Sequence, residues 1–171
     1  MVKKLLYTLI SVLLSIGYVT TNGQSALSFD GVDDYVLTSY GGIAGGTSPR
    51  TIEAWIRTTA NCLPSADGQQ VIADYGNTST GARFTFNVLW ANAIRLEVAG
   101  NGLSGSIPVN DSLWHHVAVV YDPAATNKVK LYVDGVLDVE GNISVPIVTA
   151  TTNSFRIGQR IDGVNNFTGD I

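Results

Sequence analysis

Trp114-His115-His116-Val117-Ala118-Val119-Val120-Tyr121 is followed, after a short polar stretch, by Lys130-Leu131-Tyr132-Val133-Asp134-Gly135-Val136-Leu137. The first segment is continuously apolar beyond its histidines, as expected of a central strand. The second alternates, breaks at Asp134-Gly135, and resumes with a second strand-like run from Val136. Asp-Gly between two such runs is the strongest short-range hairpin signal, because both residues accept the positive φ of a type I′ turn. Antiparallel strands joined by a tight turn are therefore the unit from which the rest of the chain is read.

Working outward, the same grammar recurs. Residues 51–58 place Ile52, Ala54 and Ile56 on one face and Glu53, Trp55 and Arg57 on the other. Residues 83–89 set Phe84, Phe86 and Val88 against Arg83, Thr85 and Asn87, and residues 94–99 set Ile94, Leu96 and Val98 against Arg95, Glu97 and Ala99. Such alternation fits sheets with one face on a core and one toward water. Further short runs fall at 26–29, 35–38, 71–75, 128–133, 136–139, 154–158 and 167–171, and Gly41–Gly46 reads as a loop. No stretch after Ser25 has a helical period. The expectation is an all-β, two-sheet antiparallel β-sandwich, with a closed barrel as the structural alternative.

Composition agrees. The chain has 171 residues, 45% of them hydrophobic, with 18 glycines against a single methionine. Fourteen acidic against ten basic residues give a net charge of −4, which argues against nucleic acid or an anionic membrane as partner. One cysteine, Cys62, rules out an internal disulfide framework and thiolate zinc clusters. Lys3 and Lys4 precede an uncharged run over 5–19 and a small polar stretch, the layout of a secretory signal peptide over 1–23 with cleavage near Gly23 or Gln24. The run is short for a membrane span, which needs about 20 residues. The mature domain is then 24–171, secreted or at the cell surface.

Candidate sites are few. Trp90-Ala91-Asn92 occupies a hairpin tip, where a tryptophan has few core partners, so Trp90 is a candidate stacking platform with Asn92 beside it; Tyr40, next to the glycine-rich loop, is a second. Trp55 and Trp114, inside strands, are assigned to the core. Asp30, Asp33 and Asp34 crowd one turn and are candidate ligands for calcium, which takes six to eight oxygens; an ordinary Asp-Gly turn accounts for the same residues. His115 and His116 are adjacent on a strand, point to opposite faces, and cannot share one metal or one catalytic dyad. No Gly-x-Ser-x-Gly elbow occurs, and no glycine-rich loop leads into a phosphate-binding helix. Cys62 is expected to be buried and inert.

Several segments in register resemble one family: Phe29-Asp30-Gly31-Val32-Asp33-Asp34-Tyr35-Val36, Thr51-Ile52-Glu53-Ala54-Trp55-Ile56, the 114–122 strand, Lys130-Leu131-Tyr132-Val133-Asp134-Gly135, Phe155-Arg156-Ile157-Gly158 and Phe167-Thr168-Gly169-Asp170-Ile171. Together they are similar to the laminin G-like domains of the concanavalin A-like lectin/glucanase superfamily. The resemblance implies a jelly roll that serves as a non-catalytic binding module for carbohydrate or a surface glycoprotein, within a larger adhesive protein. It also implies a calcium ion between the Asp30 turn and an aspartate of a closing strand. In relatives the segment like 167–171 continues into that strand, and the sequence ends at Ile171, so the expectation is a domain lacking it, with an exposed apolar edge. The superfamily's glucanases carry a Glu-x-Asp-x-x-Glu strand, and none occurs here. A glycan-cleaving hydrolase or lyase fragment would need two carboxyl groups about 5–10 Å apart. A ligand-free structural spacer is the third reading.

Overall fold

A computed structural model describes residues 25–39, 43–62, 68–151 and 154–171. The leader expected over 1–23 and the candidate Tyr40 lie outside the described residues. Twelve strands follow one another: β1 (Ser28–Asp30), β2 (Val36–Leu37), β3 (Arg50–Ile56), β4 (Gln70–Gly76), β5 (Arg83–Leu89), β6 (Ala93–Glu97), β7 (Gly102–Pro108), β8 (His115–Tyr121), β9 (Val129–Val133), β10 (Val136–Gly141), β11 (Arg156–Ile157) and β12 (Thr168–Asp170). No α-helix occurs among the described residues.

One sheet runs β10-β9-β8-β3 and the other β2-β11-β4-β5-β6-β7, with every pair antiparallel. The pair β1-β12 extends the first sheet beyond β3. Arg57 and Asp170 exchange backbone hydrogen bonds of 3.0 and 2.8 Å there, and Leu27 and Ile171 exchange two of 2.9 Å at the far end of the pair. The arrangement is a jelly-roll sandwich. As the apolar run at 114–121 predicts, β8 lies inside its sheet, between β3 and β9. Asp134 and Gly135 take φ of 51° and 78° and close the expected β9–β10 turn.

The two sheets meet through the apolar alternate positions. Ile56, Val117, Val119, Val129 and Leu131 of one pack with Phe84, Phe86, Val88, Ile94 and Leu96 of the other. Each such side chain, once buried, contributes roughly 1.5–3 kcal/mol. Phe29 of β1 and Phe167, just before β12, meet edge to face at 6.3 Å and join the same core. Gly158 sits under Phe29: a Cβ there would lie 2.3 Å from the ring, and its φ is +83°.

Two polar side chains hold loops and edges. Arg50 is buried, and among the described residues it has no carboxylate partner. It donates to the carbonyls of Ala44 (3.1 Å) and Ser48 (3.1 Å) and to Thr149 Oγ1 (2.7 Å), beneath the rings of Phe84 and Tyr121 at 4.6 and 4.9 Å. Asp138 of edge strand β10 accepts from Ser106 N and Oγ, both at 3.0 Å, which ties it across the sandwich to edge strand β7.

Three expectations need correction. Strand β7 has no counterpart in the sequence reading. Trp55 is 58% exposed rather than in the core, and Trp114 is only partly covered. Arg83, Thr85 and Asn87 point away from the core as the alternation requires, yet they do not meet water: all three are buried.

Candidate functional site

The outer face of the six-stranded sheet carries a connected polar cluster. Register places Asp74 opposite Thr85, Thr85 opposite Glu97, and Asn87 opposite Arg95, so these side chains share one face of β4, β5 and β6. Glu97 is the hub. It accepts from Arg83 Nη2, from Arg95 Nη1 at 2.8 Å and from Gln69 Nε2 at 2.7 Å. Burial alone would push the Glu97 carboxyl up; the Arg83 and Arg95 guanidiniums outweigh it and hold the group below its ordinary range. Gln69 in turn accepts from Asn87 Nδ2 at 3.4 Å.

On the other side of Thr85 lies Asp74. Thr85 Oγ1 donates to it at 2.7 Å and Ile161 N at 2.8 Å, so the 158–163 loop is pinned over this end of the face. Asp162 of that loop approaches Arg83 at 3.7 Å and accepts from Arg160 Nε at 2.8 Å. Burial lifts the Asp74 carboxyl to about 7, against the hydrogen bonds from Ile161 and Thr85 and the charge of Arg83. Asp74 and Glu97 are thus two carboxyl groups whose surroundings push them apart, separated by two strand spacings of about 4.8 Å each. Asp74 is completely buried, however, with both oxygens accepting protein hydrogen bonds, and Glu97 serves three donors.

At the opposite end the face opens. Trp90 begins the β5–β6 turn, where Trp90, Ala91 and Asn92 all take positive φ (21°, 53° and 57°), and the residue is 47% exposed. The Arg95 guanidinium lies over that ring at 5.3 Å. Leu89, Trp90, Arg95, Glu97, Gly100 and Asn101 line a hollow of about 340 Å³. The hollow thus sets an indole beside the hydrogen-bonding groups of Arg95, Glu97 and Asn101.

The remaining candidates fall elsewhere. Asn92 is turned to the scaffold: its Oδ1 accepts from Cys62 N at 2.8 Å. Cys62 Sγ contacts the Val88 carbonyl at 3.4 Å, and burial raises its thiol to about 11, so it is unreactive at neutral pH. Asp30, Asp33 and Asp34 do converge, with one carboxylate oxygen of each within 4.8 Å of the others, on the exposed turn after β1. That spacing matches oxygens sharing a cation at about 2.3–2.6 Å. Asp34 Oδ2 accepts from Asp30 N at 3.0 Å and Asp30 Oδ1 from Val32 N at 2.8 Å, bonds that preform the turn.

The histidines separate as the strand period requires. His115 is held between Asp134 (2.8 Å) and Asp111 (3.0 Å). His116 packs against Trp55 with its ring tilted by 58° and the centroids 5.4 Å apart, and Glu53 lies 3.6 Å away. Beside them Arg57 lies over Trp114 at 5.1 Å and is paired with Asp170 at 2.6 Å. Trp55, Trp114, Ser25, Ala26 and Ile171 line a second, more apolar hollow of about 460 Å³ on the four-stranded sheet.

A two-sheet antiparallel sandwich of this topology is a jelly roll. The chain belongs to the laminin G-like family of the concanavalin A-like lectin/glucanases superfamily, whose model matches residues 30–171. Two solved structures are similar. One is a Bacteroides ovatus protein named as a candidate carbohydrate-binding protein (18% identity, TM-score 0.58, 85% of this chain and 40% of that one). The other is the mouse laminin α1 chain, domains LG4-5 (15% identity, TM-score 0.50, 88% and 44%). The chain therefore spans less than half the length of either, and these identities bear on the fold alone. No curated protein sequence matches the chain. Among the described residues no helix is long and apolar enough to cross a membrane.

Proposed function

We propose that this domain is an exported, non-catalytic module that binds carbohydrate, free or carried on a surface glycoprotein, within a larger adhesive protein. The observation that carries the reading is the half-exposed Trp90 beside a hollow that Arg95, Glu97 and Asn101 also line. The sugar ring stacks on the indole, and Arg95 and the groups around Asn101 meet its hydroxyls. Binding of this kind, on a rigid strand pair, needs no rearrangement of the sandwich. The family and the carbohydrate-binding name of the Bacteroides ovatus neighbour support it.

A calcium ion at Asp30, Asp33 and Asp34 belongs to the same proposal. The donor set is all oxygen and of suitable spacing, and further ligands would come from backbone carbonyls and water. The ion would order the turn after β1. The turn lies apart from Trp90 in the sequence and shares no residue with its hollow, so calcium acts on stability rather than on the sugar directly.

The test is a glycan array probed with folded residues 24–171, in calcium and in chelator, beside Trp90→Ala. Selective binding that Trp90→Ala removes bears the reading out. Silence from a protein with a cooperative melt refutes it and favours a structural spacer.

A further inference from the structure

We infer that Asn101 is a self-modifying residue: its side-chain amide and the Gly102 nitrogen are placed to close into a succinimide, which water opens to aspartate or isoaspartate. The conversion sets an additional carboxylate beside the Trp90 hollow, which Asn101 lines. The inference goes beyond the carbohydrate reading and does not depend on what the hollow binds. Asn-Gly occurs once among the described residues, at 101–102.

The nucleophile is a backbone nitrogen that the sheet does not use. A tight turn joins β6 and β7; in it Ala99 and Gly100 take φ of 54° and 102°, and Val98 N donates to the Asn101 carbonyl at 3.0 Å. Asn101 therefore turns its backbone groups toward β6. Gly102, the next residue and opposite Glu97, turns its own to the other side, where β7 is the edge of the six-stranded sheet. The acceptor that the Gly102 N–H finds there is the Asn101 side-chain oxygen, at 2.7 Å. This bond holds Cγ beside the nitrogen that attacks it, which removes most of the search for a reactive geometry. Asn77 is the contrast. Its Oδ1 accepts from Ser79 N at 2.9 Å, two residues on, an ordinary Asx turn whose nitrogen cannot close a five-membered ring.

Two neighbours favour the step. Asn101 Nδ2 donates to Ser144 Oγ. A hydroxyl against the departing nitrogen can hand it the proton that it needs to leave. Gly102 has no Cβ to hinder the approach, and the fold keeps it glycine: a Cβ there would stand 2.4 Å from the Leu96 carbonyl oxygen and 2.7 Å from Arg95 Nη2. Asn101 and Ser144 are both exposed, so water and hydroxide reach the site.

The balance is that of a hydrolysis. Gly102 N–H gives its proton to hydroxide, the nitrogen bonds to Asn101 Cγ, and the Cγ–Nδ2 bond breaks. Nδ2 leaves as ammonia, with a proton passed through Ser144 Oγ from water. Water then adds to one of the two imide carbonyls and breaks its bond to the Gly102 nitrogen. Opening at Cγ gives aspartate. Opening at the main-chain carbonyl gives isoaspartate, whose backbone runs through Cβ and Cγ and is one carbon longer. Either product carries a new carboxylate beside the hollow that Arg95 and Glu97 also line. Isoaspartate also inserts its extra carbon at the head of β7, where Gly102 lies against Arg95.

The experiment ages the purified protein at neutral and at mildly alkaline pH. Peptide mapping with fragment mass spectra follows each asparagine, and isoaspartyl methyltransferase labels isoaspartate. The reference is the same chain unfolded in urea, which keeps the sequence and loses the geometry. The expected result is conversion at 101 that rises with pH and is at least as fast folded as unfolded, while the other described asparagines are slower when folded. Ser144→Ala should slow the folded rate about threefold or more and leave the unfolded rate unchanged. Asn101→Gln, which would have to close a larger ring, should stay unmodified. Conversion at 101 that is slower folded than unfolded overturns the inference, because the sequence alone then accounts for the chemistry. So does conversion of the folded protein that begins at another described asparagine. An unchanged folded rate in Ser144→Ala overturns the part given to Ser144. The effect on the hollow is read separately by NMR. Aged protein and Asn101→Asp should both move the Trp90 indole N–H signal and leave that of Trp55, on the other sheet, in place; should Asn101→Asp not fold, the aged protein alone gives the reading. A Trp90 signal that does not move in fully converted protein overturns the link between the modification and the hollow.

Discussion

Replacing Asp74 by asparagine should change the pH dependence of stability more than stability itself. The native carboxyl titrates near 7 instead of its ordinary 3.8, because burial disfavours the charged form more strongly than Ile161, Thr85 and Arg83 favour it. The folded protein therefore keeps a proton that the unfolded chain releases. Stability from this group is complete below about pH 4, declines as pH rises, and is gone above about pH 7. At 1.36 kcal/mol per tenfold change in proton affinity, the span from 3.8 to about 7 corresponds to about 4 kcal/mol. Asparagine removes the titration and leaves an amide at the same place, adding an offset that does not vary with pH. Urea unfolding of both proteins from pH 4 to 8 reads the effect as a difference, in which every other titrating group cancels. The wild type should lose about 4 kcal/mol relative to Asp74→Asn across that range. Two parallel profiles, with a difference constant to about 0.5 kcal/mol, would refute the burial argument, since a solvated carboxylate is already ionised throughout most of the range.

Three further outcomes are expected. Arg50→Met should cost about 2–4 kcal/mol in chemical denaturation, because it strands the carbonyls of Ala44 and Ser48 and removes the cation from the Phe84 and Tyr121 rings. Gly158→Ala should cost about 2–4 kcal/mol, because its Cβ meets the Phe29 ring at 2.3 Å on a backbone of positive φ, and calorimetry should show it as a lowered Tm. His115 should titrate above 6.5 by NMR: burial lowers it, and its hydrogen bonds to Asp134 and Asp111 more than offset that. Its contribution to stability is full below about 6.5 and disappears as pH climbs through the raised native value, whereas Asp134 and Asp111 contribute above about 4 and lose their share in acid. Asp134→Asn should bring the His115 midpoint down, and an unmoved midpoint would show that the pairing does not exist in solution.

The sandwich was legible wherever one residue in two was apolar. Strands β3, β5, β6 and β8 through β10 announce themselves by period and by the Asp134-Gly135 turn. Strand β7 does not, because Gly102, Ser104, Gly105, Ser106 and Pro108 have poor strand propensity. Its glycines answer to tertiary neighbours instead: a Cβ at Gly105 would lie 1.8 Å from Asp138 Oδ2, and one at Gly102 would press on Arg95. An edge strand chosen for close approach has little left to show in its local pattern. Trp55 illustrates the opposite error. Its alternation with Ile52, Ala54 and Ile56 already assigned it to the outer face, and weighing its bulk above its period placed it in the core.

The candidate site was half visible for a related reason. Trp90 stood out because a turn has no core to receive an indole. Arg83, Asn87, Arg95 and Glu97 did not, because a two-residue period tells which face a side chain takes and nothing about what covers that face. Alternating polar positions read as solvated by default, whereas the loop pinned to Asp74 through Ile161 and the Trp90 ring beside Arg95 help to make them a buried network. One signal was available. Arg83-x-Thr85-x-Asn87 and Arg95-x-Glu97 form opposed charges and hydrogen-bonding groups on the same side of two strands that a four-residue connection must pair. Charges of both signs converging on one face of adjacent strands, beside an aromatic turn, are a better pointer to a binding face than either an isolated tryptophan or an isolated acidic turn, because they combine a stacking surface with groups whose burial costs energy unless something completes them.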